Sequence, residues 1–202
     1  MFSENVTSAD NQQERLDKDK LGYFLAGFVE GEGSFNVSLR KKNDYKLQWQ
    51  VVLSFNVSQK DLTLLHLLKK KLDCGIIKVR KRDLVYSLDI TKPKDVIEKV
   101  IPYFKTYHFI SSSKKRNFSI FCEIAQMIKE NKHLDVEGLK EIVQLREILN
   151  EGKGRKRKHS ISDVFPSQES SQTIRQTSNI LGEDIVASAW RHAVTNSEGN
   201  LS

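Results

Sequence analysis

The clearest pattern in the sequence is an alternation of apolar and polar residues between positions 34 and 57. Phe35, Val37 and Leu39 are the apolar residues of the first segment, and alternate positions from Leu47 to Val57 are apolar in the second. A period of two residues is typical of β-strands with one buried face. Because polar residues at 41–44 separate the segments, the pattern predicts a β-hairpin with one apolar and one polar face.

Helical spacing precedes this hairpin. Apolar residues recur at intervals of three and four positions from Leu21 to Phe28, which predicts a helix that begins near Asp19, a suitable N-cap. We expect the helix to stop at Gly31-Glu32-Gly33, because two glycines permit backbone conformations that other residues resist. Residues 1–18 have no such spacing, and we interpret them as a loose polar arm.

The same order of elements then repeats. Asp61 is a suitable cap for a helix over 62–72, and a second hairpin follows Gly75. In that hairpin Lys78, Arg80 and Arg82 share one face of the first strand, whereas Leu88 and Ile90 mark the apolar face of the second. Further helices are predicted over 93–104, opened by Pro93, and over 115–129 and 135–150.

Two strand pairs separated by helices predict an α+β fold of αββαββα order. We expect one antiparallel four-stranded, saddle-shaped sheet with helices on one face. The predicted domain covers residues 19–155. Residues 153–158 are basic, and the segment 156–202 is so polar that we expect it to be largely disordered or weakly docked, with a short helix at 180–190.

Composition narrows the class of protein. The chain has 202 residues, 33 Lys and Arg against 26 Asp and Glu, and a formal net charge of +7, which favours a polyanionic partner. Its two cysteines form no paired motif, so we expect reduced core residues rather than a disulfide framework or a zinc site. No apolar run approaches a membrane span, and no signal-peptide core is present. We therefore expect an intracellular protein without membrane contact, in bacterial cytoplasm (nucleoid) or in an organelle.

The segment 25–35 carries the candidate chemistry. Ala26 and Gly27 make a smooth patch where a second helix could approach closely. Glu30 and Glu32 then lie at the end of the helix, where the helix dipole repels a carboxylate. A positive group is therefore expected nearby, and a hard divalent cation fits. From spacing alone, two solvated acids around a turn remain the alternative.

The whole segment Leu25-Ala26-Gly27-Phe28-Val29-Glu30-Gly31-Glu32-Gly33-Ser34-Phe35 resembles the motif of the LAGLIDADG homing endonucleases. The resemblance implies that the last acid, Glu32, binds metal beside Gly31, and that Glu30 has a supporting role. It also implies that motif helices from two copies pack together, with Leu25, Ala26, Phe28 and Val29 at the interface. Because the chain has no second copy of the motif, a homodimer on a pseudo-palindromic site is expected.

Two other segments are similar to the same family. Gln59, after Phe55-Asn56-Val57-Ser58, takes the place of a residue that orients the attacking water. Lys114, with Lys115 as the alternative, takes the place of an active-site lysine that stabilises charge on the phosphate. The resemblance implies hydrolysis of both DNA strands with Mg²⁺, whose site Mn²⁺ or Ca²⁺ can also occupy, and 3′ overhangs as the product.

The resemblance also implies that the polar strand face lies in the major groove of double-stranded DNA, where all four base pairs are distinguishable. The candidate DNA-contacting residues are Ser34, Asn36, Ser38, Arg40, Lys42, Lys46, Gln48, Gln50, Asn56, Lys78, Arg80 and Arg82. The alternatives are an intron RNA maturase and a catalytically silent DNA-binding protein of the same fold. A basic α+β protein unrelated to nucleic acid is a further alternative.

Overall fold

A computed structural model describes residues 5–151 and 157–165 of the chain, with side chains from Asp17 onward. Within these residues the chain divides into two compact units. The first combines residues up to Phe35 with Leu53–Lys115, and the second combines Asn36–Val52 with the residues from Arg116 onward.

The first helix is longer than the sequence pattern predicts. Helix α1 spans Asn5–Glu32, so the expected start near Asp19 and the expected loose arm over 5–18 are both wrong. The part of the added turns over residues 12–18 is mostly Gln, Glu, Arg, Leu and Lys, which are good helix formers. They carry no apolar stripe, and a search for hydrophobic periodicity therefore misses them.

Strand β1 (Gly33–Lys41) follows α1 directly and forms a hairpin with β2 (Trp49–Gln59). The connection covers residues 42–48 and is closed by a 2.8 Å hydrogen bond from the Lys42 backbone nitrogen to the Gln48 carbonyl oxygen. Lys46 and Gln48, predicted to lie on the second strand, therefore belong to the connecting loop. Gln48 has φ 59°, a left-handed conformation that ends the strand pattern at that residue.

The next helix, α2 (Leu62–Leu72), begins as predicted, because the Asp61 carboxylate accepts a 2.7 Å hydrogen bond from the Thr63 backbone nitrogen. Strands β3 (Ile76–Arg80) and β4 (Val85–Ile90) form the second hairpin. Since β3 ends at Arg80, Arg82 lies in the turn and not on the strand face where it was predicted.

The four strands form one antiparallel sheet in the order β1-β2-β4-β3, which confirms the predicted α+β class. In the first unit, Val57 of β2 pairs with Leu88 of β4, which pairs with Ile77 of β3. Val57 and Leu88 are fully buried. The alternate positions, such as Asn56 and Asp89, therefore point to the opposite, outward face.

The predicted helix over 93–104 is present but not uniform. It consists of α3 (Pro93–Asp95), a π-helical segment (Val96–Val100) and α4 (Ile101–Thr106). The Ile101 backbone nitrogen bonds to the Val96 carbonyl, five residues back. Pro102 has no N–H to donate, and the wider π turn accommodates it without breaking the helical run.

An aromatic cluster forms the centre of the first unit. Phe35 of β1, Phe55 of β2 and Phe104 of α4 are 0–1 % exposed. The Phe35 ring centroid lies 5.1 Å from that of Phe55 and 5.8 Å from that of Phe104, while Phe109 stacks on Phe104 at 5.0 Å. These contacts join the inward strand faces to the helix that follows the sheet.

Helix α5 (Ser112–Lys129), a 3₁₀ turn (Lys132–Leu134) and α6 (Val136–Ile148) follow. The short helix α7 (Ile161–Val164) ends the described residues. The segment 157–165 was expected to be loose, but it is packed in the second unit, where Val164 is buried. Lys153, Arg155, Lys156 and the tail from 166, including the predicted helix at 180–190, lie outside the described residues.

Arg146 connects the segment 157–165 to the second unit. It is 4 % exposed, and its guanidinium donates to the Val37 carbonyl at 3.2 Å, the His159 carbonyl at 2.9 Å and the Glu147 carboxylate at 2.9 Å. Arg157 pairs with the same carboxylate at 3.0 Å. The buried charge is therefore paired and hydrogen-bonded, as burial of a guanidinium requires.

Cys74 and Cys122 form no disulfide within the described residues, and both are partly exposed rather than the core residues that were predicted. Burial raises the pKa of the Cys74 thiol to about 11, and nearby Asp95 adds to the effect. Among the helices of the described residues, none combines the length and the apolar character that crossing a membrane would require.

Candidate active site and nucleic-acid interface

Glu32 is the last residue of α1, and Gly33 is the first residue of β1, so no loop separates the helix from the strand. The Glu32 side chain is exposed, whereas Gly33 is buried. A Cβ atom on Gly33 would lie 2.5 Å from Val29 Cγ1 and 2.7 Å from the Val29 carbonyl oxygen. Glycine at 33 therefore lets the strand start tightly against the helix and leaves the Glu32 carboxylate open to solvent.

Lys114 lies beside this junction. Its Nζ donates a 2.6 Å hydrogen bond to the Gly33 carbonyl oxygen, and the side chain is half-buried. Burial lowers the pKa of Lys114, although the nearby Glu30 carboxylate opposes the effect. Lys114, one of the two candidate lysines, is therefore held at the junction of α1 and β1. Lys114 lies within the first turn of α5, not before the helix as predicted, because α5 begins at Ser112.

Glu30 holds the chain segment that precedes α5. Its carboxylate accepts hydrogen bonds from the backbone nitrogens of Ile110, at 2.8 Å, and of Ser111. Partial burial raises the pKa of Glu30, but hydrogen bonds from the Ser111 side chain and from the two backbone groups outweigh burial and hold the pKa below its ordinary value. Glu30 thus connects α1 to the residues that carry Lys114.

Gln59 is the last residue of β2 and pairs with Tyr86 of β4. Its Oε1 accepts a 2.8 Å hydrogen bond from the backbone nitrogen of Lys60. Since β1 and β2 are antiparallel neighbours, the last residue of β2 and the first residue of β1 lie at the same end of this strand pair. Gln59 and Gly33 are therefore both at this end.

The described residues contain no group of three or more His, Cys, Asp or Glu side chains that could hold a metal ion. One chain supplies the Glu32 carboxylate and backbone carbonyl oxygens such as that of Gly31. These are oxygen donors that suit a hard divalent cation. These oxygens would be only part of the ligand set of a divalent cation, and their chemistry fits such an ion.

The predicted dimer interface needs a correction. Leu25 and Val29 are 0 % exposed and Ala26 is 2 % exposed, so the chain's own core already buries these side chains. The exposed face of α1 instead carries Tyr23 and Phe24, at 55 % and 56 % exposure, together with Gly27, Gly31 and the partly exposed Phe28. A helical repeat of 3.6 residues places these positions opposite the buried ones, and the apolar spacing alone did not show which face was inward.

Most of the candidate DNA-contacting residues have outward side chains. On β1 and β2, Ser38 and Arg40 are exposed, and the partly exposed ones are Ser34, Asn36, Gln50 and Asn56. Lys42, Lys46 and Gln48 are exposed in the loop between β1 and β2, and Lys78 and Arg80 are exposed on β3. Each group of side chains is thus accessible, whether on a strand or in a loop.

Acids accompany the cations of the second hairpin, and the sequence interpretation overlooked them. Lys78 Nζ lies 3.1 Å from an Asp89 carboxylate oxygen, and Arg80 Nε lies 2.7 Å from Asp83. The sequence does contain a signal that places Asp89 among these cations. Ser87 and Asp89 alternate with the apolar face of β4, which is marked by Tyr86, Leu88 and Ile90, so they must share its polar face. The exposure of Phe24 on α1 and the contacts of Glu30 with Ile110 and Ser111 depend on tertiary structure. The spacing of apolar residues along the sequence does not encode them.

The profile described as LAGLIDADG endonuclease matches residues 25–125, which include α1 from Leu25, all four strands and the first turns of α5. The chain belongs to the LAGLIDADG endonuclease family. It is 37 % identical over 149 residues to the probable intron-encoded endonuclease 2 of Neurospora crassa, covering 71 % of this chain and 32 % of that protein. It is 29 % identical to the DNA endonuclease I-CeuI of Chlamydomonas moewusii, covering 74 % of this chain and 69 % of that one.

The fold of this LAGLIDADG chain is also similar to solved structures of the family. A structure titled as I-SmaMI bound to uncleaved DNA target in the presence of calcium ions superposes with a TM-score of 0.64 at 31 % identity. The match covers 72 % of this chain and 49 % of that one. The chain spans about a third of the length of the Neurospora relative, 32 %.

Proposed function

We propose that this LAGLIDADG chain is a site-specific DNA homing endonuclease that cuts both strands of a long pseudo-palindromic site as a homodimer. The observation that supports it most is the Glu32–Gly33–Lys114 arrangement. An exposed carboxylate lies at the end of the motif helix, and a half-buried ammonium group is hydrogen-bonded to the next residue. An acid and a cation that are both fixed at the α1–β1 junction suit chemistry on a phosphodiester.

A second chain would complete the site. The exposed aromatic side chains of α1 and its two exposed glycines offer a surface that another copy of the same helix can approach closely. No heavy atom of the described residues comes within 4 Å of a Cβ placed on Gly27 or Gly31, so packing within that part of the chain does not require glycine there. Packing of α1 against its symmetry mate would bring two Glu32 carboxylates together at the twofold axis.

Each residue of the site would then have a distinct role. Glu32 from each chain would hold Mg²⁺, with Mn²⁺ or Ca²⁺ as substitutes, and the metal would supply Lewis-acid activation at the scissile phosphates. Gln59, at the same end of the β1–β2 strand pair as Gly33, would orient the attacking water. Lys114 would stabilise the negative charge that develops on the phosphate. Cleavage across the minor groove would leave 3′ overhangs.

The outward strand residues would contact base edges in the major groove, and the loop lysines Lys42 and Lys46 would mainly contact phosphates. A formal net charge of +7 on the chain supports association with a polyanion. Relatives named for introns, among them the Neurospora protein, support the further proposal that this chain is intron-encoded and acts on the intronless allele.

Cleavage of a supercoiled plasmid that carries the intronless host sequence tests the proposal. We expect linear product that depends on Mg²⁺, and loss of cleavage in Glu32→Gln with DNA binding retained. Glu98→Gln, an exposed acid on the π-helical segment, is the matched control and should cleave normally. Tight DNA binding without nicking under Mg²⁺ or Mn²⁺ would instead indicate a silent DNA-binding protein, and binding to intron RNA alone would indicate a maturase.

The homodimer has its own test. Phe24→Lys places a charge on the exposed face of α1 and should shift the chain from dimer to monomer in sedimentation equilibrium and abolish cleavage. Leu134→Lys changes an apolar residue of similar exposure, 50 % against 56 %, far from α1 in sequence. We expect that control to remain dimeric, and a Phe24→Lys protein that stays dimeric would contradict the proposed interface.

A further inference from the structure

An ion pair lies on the outward face of the second hairpin. Lys78 of β3 and Asp89 of β4 approach to 3.1 Å between Nζ and Oδ2, and their side chains are 61 % and 24 % exposed. The Asp89 Oδ1 atom accepts a hydrogen bond from the Ser87 hydroxyl. The carboxylate is therefore oriented from one side by a hydroxyl and from the other by an ammonium group.

The strand register places Asp89 inside the sheet face, and its partner Lys78 lies on the edge strand β3. Asp89 pairs with Asn56 of β2 on one side and with Ile76 of β3 on the other. Ser87 pairs in the same way with Ser58 and Lys78. A strand therefore flanks Asp89 on each side, and Lys78 reaches its carboxylate diagonally from β3.

A carboxylate is an unexpected residue on a face that meets DNA, because phosphates repel it. Lys78 neutralises Asp89, so the pair as a unit does not attract phosphates. Attraction to the DNA backbone is therefore a poor explanation for an acid at this position.

The remaining hydrogen-bonding capacity of the pair matches a base edge. The ammonium group of Lys78 has three N–H donors and uses one on Asp89, which leaves two. The Asp89 carboxylate retains acceptor sites beyond those used by Ser87 and Lys78. The pair thus presents free donors next to a free acceptor, fixed about one hydrogen-bond length apart.

We propose that Lys78 and Asp89 together read one G·C base pair in the major groove of each half-site, an inference that rests on the proposed function. Guanine presents two adjacent acceptors, N7 and O6, which suit the two free donors of Lys78. Cytosine N4 is hydrogen-bonded to guanine O6 within the pair and donates its other hydrogen to the groove, where Asp89 accepts it. The donor-to-acceptor spacing of the ion pair equals the O6-to-N4 spacing of roughly 3 Å.

An A·T pair fits this arrangement less well. Adenine offers N7 to the ammonium group and N6 to the carboxylate, which makes two hydrogen bonds where a G·C pair makes three. The thymine methyl group occupies the groove beside O4. The pair is therefore expected to discriminate G·C from A·T and, because its two charges are ordered along the groove, from C·G.

Selection from a library of randomised duplexes with the full chain tests the inference. Wild type should enrich a consensus that contains a fixed G·C pair at one position of each half-site. Asp89→Asn, which replaces one acceptor oxygen by a donor, should reduce the preference at that position roughly ten- to hundredfold and leave the other positions unchanged. Ser87→Ala, which removes only the orienting hydroxyl, should reduce it less.

Asp73→Asn provides the matched control. Asp73 forms an ion pair with Lys99 at 2.9 Å, also at the surface, but the pair joins the end of α2 to the π-helical segment and is not on a strand. We expect its selection profile to be identical to that of wild type. An Asp89→Asn profile identical to wild type at every G·C position would overturn the inference alone, while failure of the wild type to enrich any sequence would overturn the proposed function as well.

Discussion

The Nζ atom of Lys114 lies 2.6 Å from the carbonyl oxygen of Gly33, the residue that directly follows Glu32. The ammonium group is thereby fixed one peptide away from the acid of the motif. We predict that Lys114→Met reduces the cleavage rate about 10²- to 10³-fold, because a pre-oriented charge near the reacting phosphate is lost. Single-turnover cleavage should show this loss while the DNA dissociation constant changes little.

Lys115→Met is the control for this prediction, since it removes a neighbouring cation of the same helix turn. It should weaken DNA binding at most modestly and leave the single-turnover rate close to wild type. If Lys115→Met and not Lys114→Met stops cleavage, the assignment of the active-site lysine is wrong.

The pH dependence of cleavage gives a second test of Lys114. Burial lowers the pKa of this lysine, so it loses its proton at a lower pH than an exposed lysine does. If the charged form is needed, the rate falls on the alkaline side as the group deprotonates. Arginine stays protonated throughout this range, so in Lys114→Arg the residual activity should not show this alkaline decrease. A wild-type profile with the same alkaline decrease as Lys114→Arg would contradict the role.

Glu30 should make stability depend on acid pH. Its pKa in the folded chain is below the ordinary value of 4.5, because hydrogen bonds from Ser111 and Ile110 outweigh the opposing effect of burial. A lowered pKa means that the ionised form stabilises the fold above the unfolded-state pKa and that this contribution is lost as pH falls through the folded-state pKa. Thermal unfolding of Glu30→Gln should therefore differ most from wild type near neutral pH, and the difference should shrink below pH 4.5. A difference in thermal stability that stays the same from neutral pH to below pH 4.5 would contradict this role of the ionised carboxylate.

The glycines of the motif should respond in opposite ways to alanine. Gly33→Ala would push a methyl group into Val29, and we expect it to lower the free energy of unfolding by roughly 2 kcal/mol. Gly27→Ala meets open space within the chain and should raise the unfolding free energy of the isolated chain by about 1 kcal/mol through helix propensity. The same Gly27→Ala change should weaken dimerisation, measured by sedimentation equilibrium. Equal effects of the two substitutions on unfolding would contradict the packing described at the α1–β1 junction.

Arg146 should be the most costly polar residue to remove from the second unit. Arg146→Met leaves the Val37 and His159 carbonyls without this donor, and we expect a loss of roughly 3 kcal/mol in urea unfolding. Arg116→Met removes an ion pair whose side chains are 38 % and 62 % exposed, and it should cost below about 1 kcal/mol. Susceptibility to proteolysis should increase at residues 157–165 in Arg146→Met only. A loss no larger than that of Arg116→Met would mean that Arg146 does not hold this segment.

The strands and the Asp61 cap were predictable because local chemistry determines them. Alternation from Phe35 to Val57 specified which strand face is buried, and the Asp61 carboxylate could cap α2 without help from distant residues. The extension of α1 back to Asn5 was not predictable by the same means. Its polar turns have no apolar periodicity, and only their intrinsic helix propensity favours the observed conformation.

The candidate site likewise combines features that the sequence predicted with features that it did not. The acids of the motif were identified from sequence through the family resemblance, but the contacts that organise them were not. Glu30 with Ile110, and Lys114 with Gly33, are separated by about 80 positions in the chain. Spacing also could not decide which side of α1 is exposed, since Leu25 and Phe24 are equally apolar neighbours.

The direct passage from Glu32 to Gly33 leaves no loop between α1 and the start of β1. In the proposed homodimer, a tilt of α1 would therefore move the Glu32 carboxylate together with the start of the strand. A proposed dimer bound to a mismatched sequence would then hold its carboxylates away from the scissile phosphates. We therefore expect mismatches to reduce cleavage more than they reduce binding.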